Sequence, residues 1–258
     1  MAVRSFRLAM AGIFHHWRHP RRCYLICGVA RSGSNLLSDG LRDTGRAGRP
    51  NQFFLPSAES QFRAAHSLPE EIGFADYVRA MVEKTATSNE VFGFKLMAWY
   101  LNDFVARLRG SAAFGGSGES DLEILCAPFP RLRFLRITRR DKVRQAISKA
   151  RAAQTGLWKV QGGKSETAAP EYDRALIEQC LAEAEAEEEI WRAFFARIER
   201  QPFRVEYEEL CQNHSAVIGA ALDFLEIKLP RRIRIGHPAT VRQSDALTDE
   251  WEQRYRAG

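Results

Sequence analysis

What the chain lacks narrows it first. No apolar run in its 258 residues approaches the roughly 18 needed to cross a bilayer. The five cysteines (Cys23, Cys27, Cys126, Cys180 and Cys211) are odd in number, scattered and without a C-x-x-C pair. That argues against a disulfide framework or a zinc cage and fits a reducing cytoplasm. There is no internal repeat, and no basic stretch with interleaved aromatics matches a nucleic-acid reader, so nucleic acid is not an expected partner. What remains is ordinary for one globular domain: 45% hydrophobic and 27% charged residues, enough chain to bury a core. The formal net charge of +6 calls for an anionic partner.

The most informative absence is one lysine. Tyr24–Gly28 is a compact apolar run suited to a buried strand, Gly28–Ser34 is a loop of small residues carrying Arg31, and Leu36, Leu37 and Leu41 resume at helical spacing. A strand–loop–helix turn aims free backbone N–H groups and the positive end of a helix dipole at one point, which suits a phosphate. Gly28 and Gly33 have the spacing of a Walker A loop, G-x-x-x-x-G-K-[ST], but Ser34 and Asn35 follow where Lys and Ser or Thr belong. A magnesium nucleoside triphosphate is poorly served there. Arg31 supplies the charge instead.

Along the chain, the apolar residues of segment 1–22 (Phe6, Met10, Ile13, Phe14, Trp17) share a helical face, with Arg4, Arg7, Arg18, Arg21 and Arg22 elsewhere. Such a basic amphipathic extension can lie on an anionic membrane, or pack on its own domain or a second subunit. Its apolar stretch is too short, and lacks the small-residue cleavage site, for a signal peptide. His15, His16 and His19 have no carboxylate or cysteine beside them, so no metal is expected. Residues 23–258 then read as one domain. Strands are expected over 91–97, 133–138 and 203–206, and helices over 70–86, 99–109, 141–157, 171–200 and 216–225, the acidic run of 171–200 being read as a solvated face. Residues 161–170 read as a mobile lid, and 231–256 as a basic, partly irregular tail. Strands alternating with helices imply an α/β three-layer sandwich with a central parallel sheet and ligands at the C-terminal strand ends.

Five separated blocks, YLICGVARSGSNLL, TGRAGRPNQFF, FGFKLM, RRDKVRQAISKARAAQTGLWK and TDEWEQRYR, occur in an order and spacing that resemble the bacterial trehalose 2-sulfotransferase family. The resemblance implies a P-loop-NTPase-like fold, 3′-phosphoadenosine 5′-phosphosulfate (PAPS) as co-substrate, no metal, a homodimer, and a carbohydrate or glycolipid acceptor. It implies that Arg31, Ser32, Gly33, Ser34 and Asn35 hold the 5′-phosphosulfate, with Arg31 stabilising charge on the departing phosphate. It implies that Arg139 and Ser148 hold the 3′-phosphate, Arg140 being the neighbour that can substitute and Arg242 a residue that can close over the nucleotide. On the acceptor side it points to Ala30, Arg49, Pro50, Asn51, Gln52, Phe53 and Phe54. The rings of Phe53, Phe54 and Trp99 can stack on a sugar, although such rings are more often core, and Lys95, ending a strand near the loop, reads equally as a cation for the sulfuryl group and as a surface lysine.

Two acceptor positions depart from the family. Its block A-G-x-P-x-E-F-F carries the glutamate proposed as general base; here that position is Gln52, and an amide accepts no proton at neutral pH. Ala30 stands where the trehalose enzyme has a sugar-contacting glutamine. Both argue against trehalose itself. Glu59, Asp39 and His66 are nearby titratable substitutes in sequence. The expected activity is therefore PAPS-dependent sulfuryl transfer to a sugar hydroxyl, in the cytoplasm or peripheral to the inner face of the cell membrane. The alternatives are a weak or inactive PAPS- or PAP-binding homologue and, from the loop alone, a kinase-like phosphotransferase.

Overall fold

The computed structural model describes residues 20–115, 118–158, 169–236 and 246–258. Most of the N-terminal extension, Arg242 and nearly all of the expected lid at 161–170 lie outside them.

Four parallel strands form one sheet in the order β2-β1-β3-β4: β1 (Arg22–Gly28), β2 (Val91–Met97), β3 (Leu132–Thr138) and β4 (Phe203–Glu206). β1 is central and buried on both faces, which is why it reads as an unbroken apolar run. Leu25 sits opposite Phe94 on one side and Phe134 on the other. Alternate residues part to two cores. Cys23, Leu25 and Cys27 join Phe92, Phe94 and Phe134 beneath α3 (Phe74–Thr85), α4 (Leu101–Arg109), α5 (Asp121–Cys126) and α7 (Arg174–Ile198). Tyr24 and Ile26 join Leu135, Ile137 and Val205 beneath α1 (Ser34–Asp43), α8 (Tyr207–Gln212) and α9 (His214–Phe224). This is a three-layer α/β arrangement, a parallel sheet between two layers of helices. A third cluster, built on Ala146, Ile147, Ile177 and Trp251, joins α6 (Lys142–Thr155), α7 and α10 (Ala246–Ala257) beside the sheet.

Helix α2 (Glu59–Ala65), α5 and α8 are short and were not expected from the sequence. The basic tail is more ordered than expected, since α10 occupies most of its last part. The acidic run is also more than a solvated face. Within it Glu183 and Glu187 face Lys149, and Glu188 pairs with Arg136 and Lys142.

The segment between α1 and α2 is laid along the open edge of β2. Lys95 N donates to Asn51 O at 3.0 Å, and Tyr24 Oη donates to Ala47 O at 2.6 Å. Gly93 makes that reach available, because a Cβ there would sit 2.2 Å from the Tyr24 ring. Residues 46–52 are thereby pinned beside the end of β1.

Candidate active site

The loop between β1 and α1 has its carbonyls turned away and tied down. Arg136 Nη1 donates to Cys27 O at 2.9 Å, Trp191 Nε1 to Gly28 O at 2.8 Å, and Gln145 Nε2 to Ala30 O at 2.8 Å. Ser32 N donates to Val29 O at 3.2 Å. Four successive acceptors are thus satisfied by β3, α7, α6 and the loop itself. The backbone takes left-handed angles at Arg31 (φ 62°) and Gly33 (φ 91°), the alternation that folds a chain into an anion-binding nest. Gly33 is also the residue before α1, and a Cβ on it would lie 2.3 Å from the Tyr207 ring. Only glycine fits there.

Cations close on this nest. Arg139 is buried, its guanidinium 4.7 Å above the Tyr207 ring and its Nη1 3.5 Å from Arg31 O. Arg31 Nε donates to Ser148 Oγ at 2.9 Å and its Nη1 to Trp158 O at 2.6 Å. Burial and the neighbouring Arg139 charge pull the Arg31 guanidinium down to about 10, and burial lowers Arg139 too. Two like charges held together and partly dehydrated are a site that gains from an anion. Two buried donors point the same way. Among the described residues, Ser32 Oγ and Arg139 Nε are enclosed with no hydrogen-bond partner.

Arg140 is turned outward, where Glu206 takes its Nε at 3.0 Å. Of the adjacent arginines it is Arg139 that faces the nest. Lys95 is buried, not at the surface, and donates to Asn35 Oδ1 at the start of α1. On the far side, Tyr100 Oη lies 3.4 Å from Gln52 Oε1 and donates to Lys95 O at 3.2 Å. A line of side chains therefore runs from Gln52 through Tyr100 and the Lys95 backbone to the loop.

The profile of the Stf0 sulphotransferase family matches residues 23–258. The chain belongs to the Stf0 sulfotransferase family. It is 33% identical over 260 residues to a trehalose 2-sulfotransferase of Mycolicibacterium smegmatis and 29% identical over 266 residues to one of Mycobacterium tuberculosis, each alignment covering 92% of this chain and 95% of the relative. Among solved structures it resembles the sulfotransferase domain of a Synechococcus olefin synthase, with a TM-score of 0.47, 14% identity and coverage of 93% and 89% of the two chains.

Within this Stf0 chain, the structure brings Arg31, Ser32, Gly33, Ser34, Asn35, Arg139 and Ser148 to one place at the C-terminal end of β1. Gln52 flanks it through Tyr100. Phe53 and Phe54 are elsewhere: both rings lie in the core, Phe54 stacked on Phe104 at 4.9 Å and Phe53 on Phe92 at 6.1 Å. They are corrected from acceptor contacts to core, since a ring enclosed by other rings presents no face to a sugar. Glu59 is committed to Arg107 and Arg63, and Asp39 to Arg42 at 2.7 Å, so both proposed substitutes for the base serve as ion-pair partners. His66 ends α2 and is lowered by burial and by Lys84 and Arg49; no contact joins it to Gln52. The sequence reading missed Tyr207, Gln145, Trp191 and Arg136. Gln145 had a signal, three residues before Ser148 on one helical face. Trp191 and Arg136 had none, because each acts on a backbone atom over 100 residues away.

Proposed function

We propose that this sulfotransferase uses PAPS to move a sulfuryl group onto a carbohydrate or glycolipid hydroxyl. The observation that carries the nucleotide assignment is the pair of buried, partnerless donors, Ser32 Oγ and Arg139 Nε, facing a nest rich in positive charge. An anion with two separated charged ends fits such a site. The loop and Arg31 would receive the phosphosulfate, and Arg139 with Ser148 the 3′-phosphate. In-line transfer builds negative charge on the oxygen that leaves with the phosphate, and Arg31 is placed to stabilise it. Lys95, on β2 and bonded to Asn35 at the start of α1, adds charge on the sulfuryl side.

The carbohydrate acceptor is supported by the names of the two mycobacterial relatives and by two exposed indoles at the rim. Trp99 (56% exposed) adjoins Tyr100, which reaches Gln52, and Trp158 (49% exposed) carries the carbonyl that holds Arg31. Indole faces stack readily on pyranose rings. A homodimer and a cytoplasmic, membrane-peripheral location complete the proposal, and five free cysteines suit that compartment. Among the described residues, no helix is long and apolar enough to cross a membrane, and no group of three or more His, Cys, Asp or Glu side chains is gathered for a metal.

A second reading, a nucleotide-binding protein without turnover, is favoured by Gln52. Calorimetric titration with PAP in EDTA, beside Arg139→Ala, separates these. Metal-free binding that weakens at least tenfold in the variant supports the nucleotide site; no binding by the wild type overturns it. Transfer from radiolabelled PAPS to sugars then decides between enzyme and binder.

A further inference from the structure

A buried carboxylate on α7 has no role in the site as described. Glu187 is 7% exposed, and its Oε2 is enclosed without a hydrogen-bond partner. Its other oxygen lies 3.5 Å from Lys149 Nζ. The place matters. α7 starts beyond the C-terminal strand ends and descends to feed β4, parallel to β3. Trp191 on this helix holds Gly28 O, and Glu187 is one turn nearer the start of α7, about 6 Å farther up. That is the level of loop residues 29–31. Gln145, which holds Ala30 O, and Ser148, which meets Arg31, are on the stretch of α6 that carries Lys149. The turn 98–100, with Trp99 and Tyr100, packs against α7 from the acceptor side.

We propose that the Glu187 carboxylate, in place of the glutamate missing at position 52, takes the proton from the acceptor hydroxyl. The assignment rests on the sulfuryl-transfer reading above. As the acceptor oxygen bonds to sulfur, the bond from sulfur to the phosphate oxygen breaks, that oxygen keeps the electron pair as part of PAP, and the hydroxyl proton passes to Glu187. The surroundings suit a base. Burial raises the Glu187 carboxyl above its ordinary value, opposed by Lys149 and Arg136 and aided by Glu183. The charged groups that act on it are Lys149 from α6, Glu183 from its own helix and Arg136 from β3. A carboxylate with a raised pKa holds a proton more firmly, which is what a base needs.

The test uses the full chain with PAPS and two acceptors, water and glucose. In Glu187→Gln, transfer to the better acceptor should fall about 10²–10⁴-fold, while PAP affinity by calorimetry stays within about twofold. The wild-type rate should drop on the acid side of a limb lying above the ordinary carboxylate range, and that limb should vanish in the variant. Lys149→Met removes the cation that favours the charged form, so it should move the limb to higher pH without touching Glu187. In the ligand-free protein, carboxyl carbon NMR should show Glu187 titrating at the same pH as the limb. A wild-type rate and an unchanged profile in Glu187→Gln would overturn the assignment, as would an unmoved limb in Lys149→Met if the glutamine variant does not fold. PAP binding without turnover in the wild type also overturns it. Failure of the wild type to bind PAP overturns the parent reading instead.

Discussion

Arg31 and Ser148, 117 residues apart, meet at 2.9 Å, guanidinium Nε to hydroxyl oxygen. The contact joins the loop of one proposed anion site to the helix of the other. A ligand bridging the two finds them already in register. Arg31→Ala should reduce sulfuryl transfer about 10²–10³-fold, the range for removing one preorganised transition-state donor. Ser148→Ala should act chiefly on PAP affinity, by about tenfold. Steady-state transfer rates and calorimetry on the same preparations check the division.

Nucleotide binding should depend on pH in a direction set by Arg31. Its guanidinium is depressed to about 10, first by burial and then by Arg139. A bound anion favours the charged form, so PAP affinity should be level from about pH 7 to 9 and fall above about 10, by up to tenfold per unit for this one group. In the ligand-free fold the sign is opposite. Between about 10 and the ordinary arginine value the unfolded chain holds the proton better, so this residue's contribution to stability rises with pH. Calorimetry across pH with and without Arg139→Ala reads the first effect; the variant should extend the level region upward.

Gly33→Ala should abolish PAP binding with little loss of helix content. Its φ of 91° disfavours any L side chain by about 1–2 kcal/mol, and the new methyl would meet the Tyr207 ring. Adding Tyr207→Ala relieves the collision but not the dihedral strain. The double variant should therefore recover part of the binding. Full recovery would mean that the collision alone mattered.

Trp191→Phe keeps the ring and removes the donor to Gly28 O. The stranded carbonyl should cost about 1–3 kcal/mol of stability, measured by urea unfolding. PAP affinity should fall as well, because the loop loses one of its anchors. A variant that loses stability but binds PAP as before would show that the loop holds its shape without this bond.

Much of the frame follows from pattern. β2 and β4 span the residues that hydrophobic patterning marks out, and α7 keeps its apolar stripe through Ile177, Cys180, Ala184, Trp191 and Phe194. α2, α5 and α8 escaped notice because helices of six or seven residues owe their stability to tertiary packing rather than to their own sequence. Phe53 and Phe54 were ambiguous for a related reason: a ring beside a polar segment reads alike whether it faces a core or a cleft.

By itself the sequence determined the parallel α/β frame, the anion loop with arginine in place of lysine, and the amide at position 52, since each depends on residue type at short spacing. Tertiary structure decided which cations converge. It turned Arg139 inward over Tyr207 and Arg140 outward to Glu206, buried Lys95 against Asn35, and set Glu187 one turn from the tryptophan that holds the loop. Neighbours in the chain diverge and residues over 100 apart meet because side-chain direction is set by the packing of whole elements, which no local spacing records.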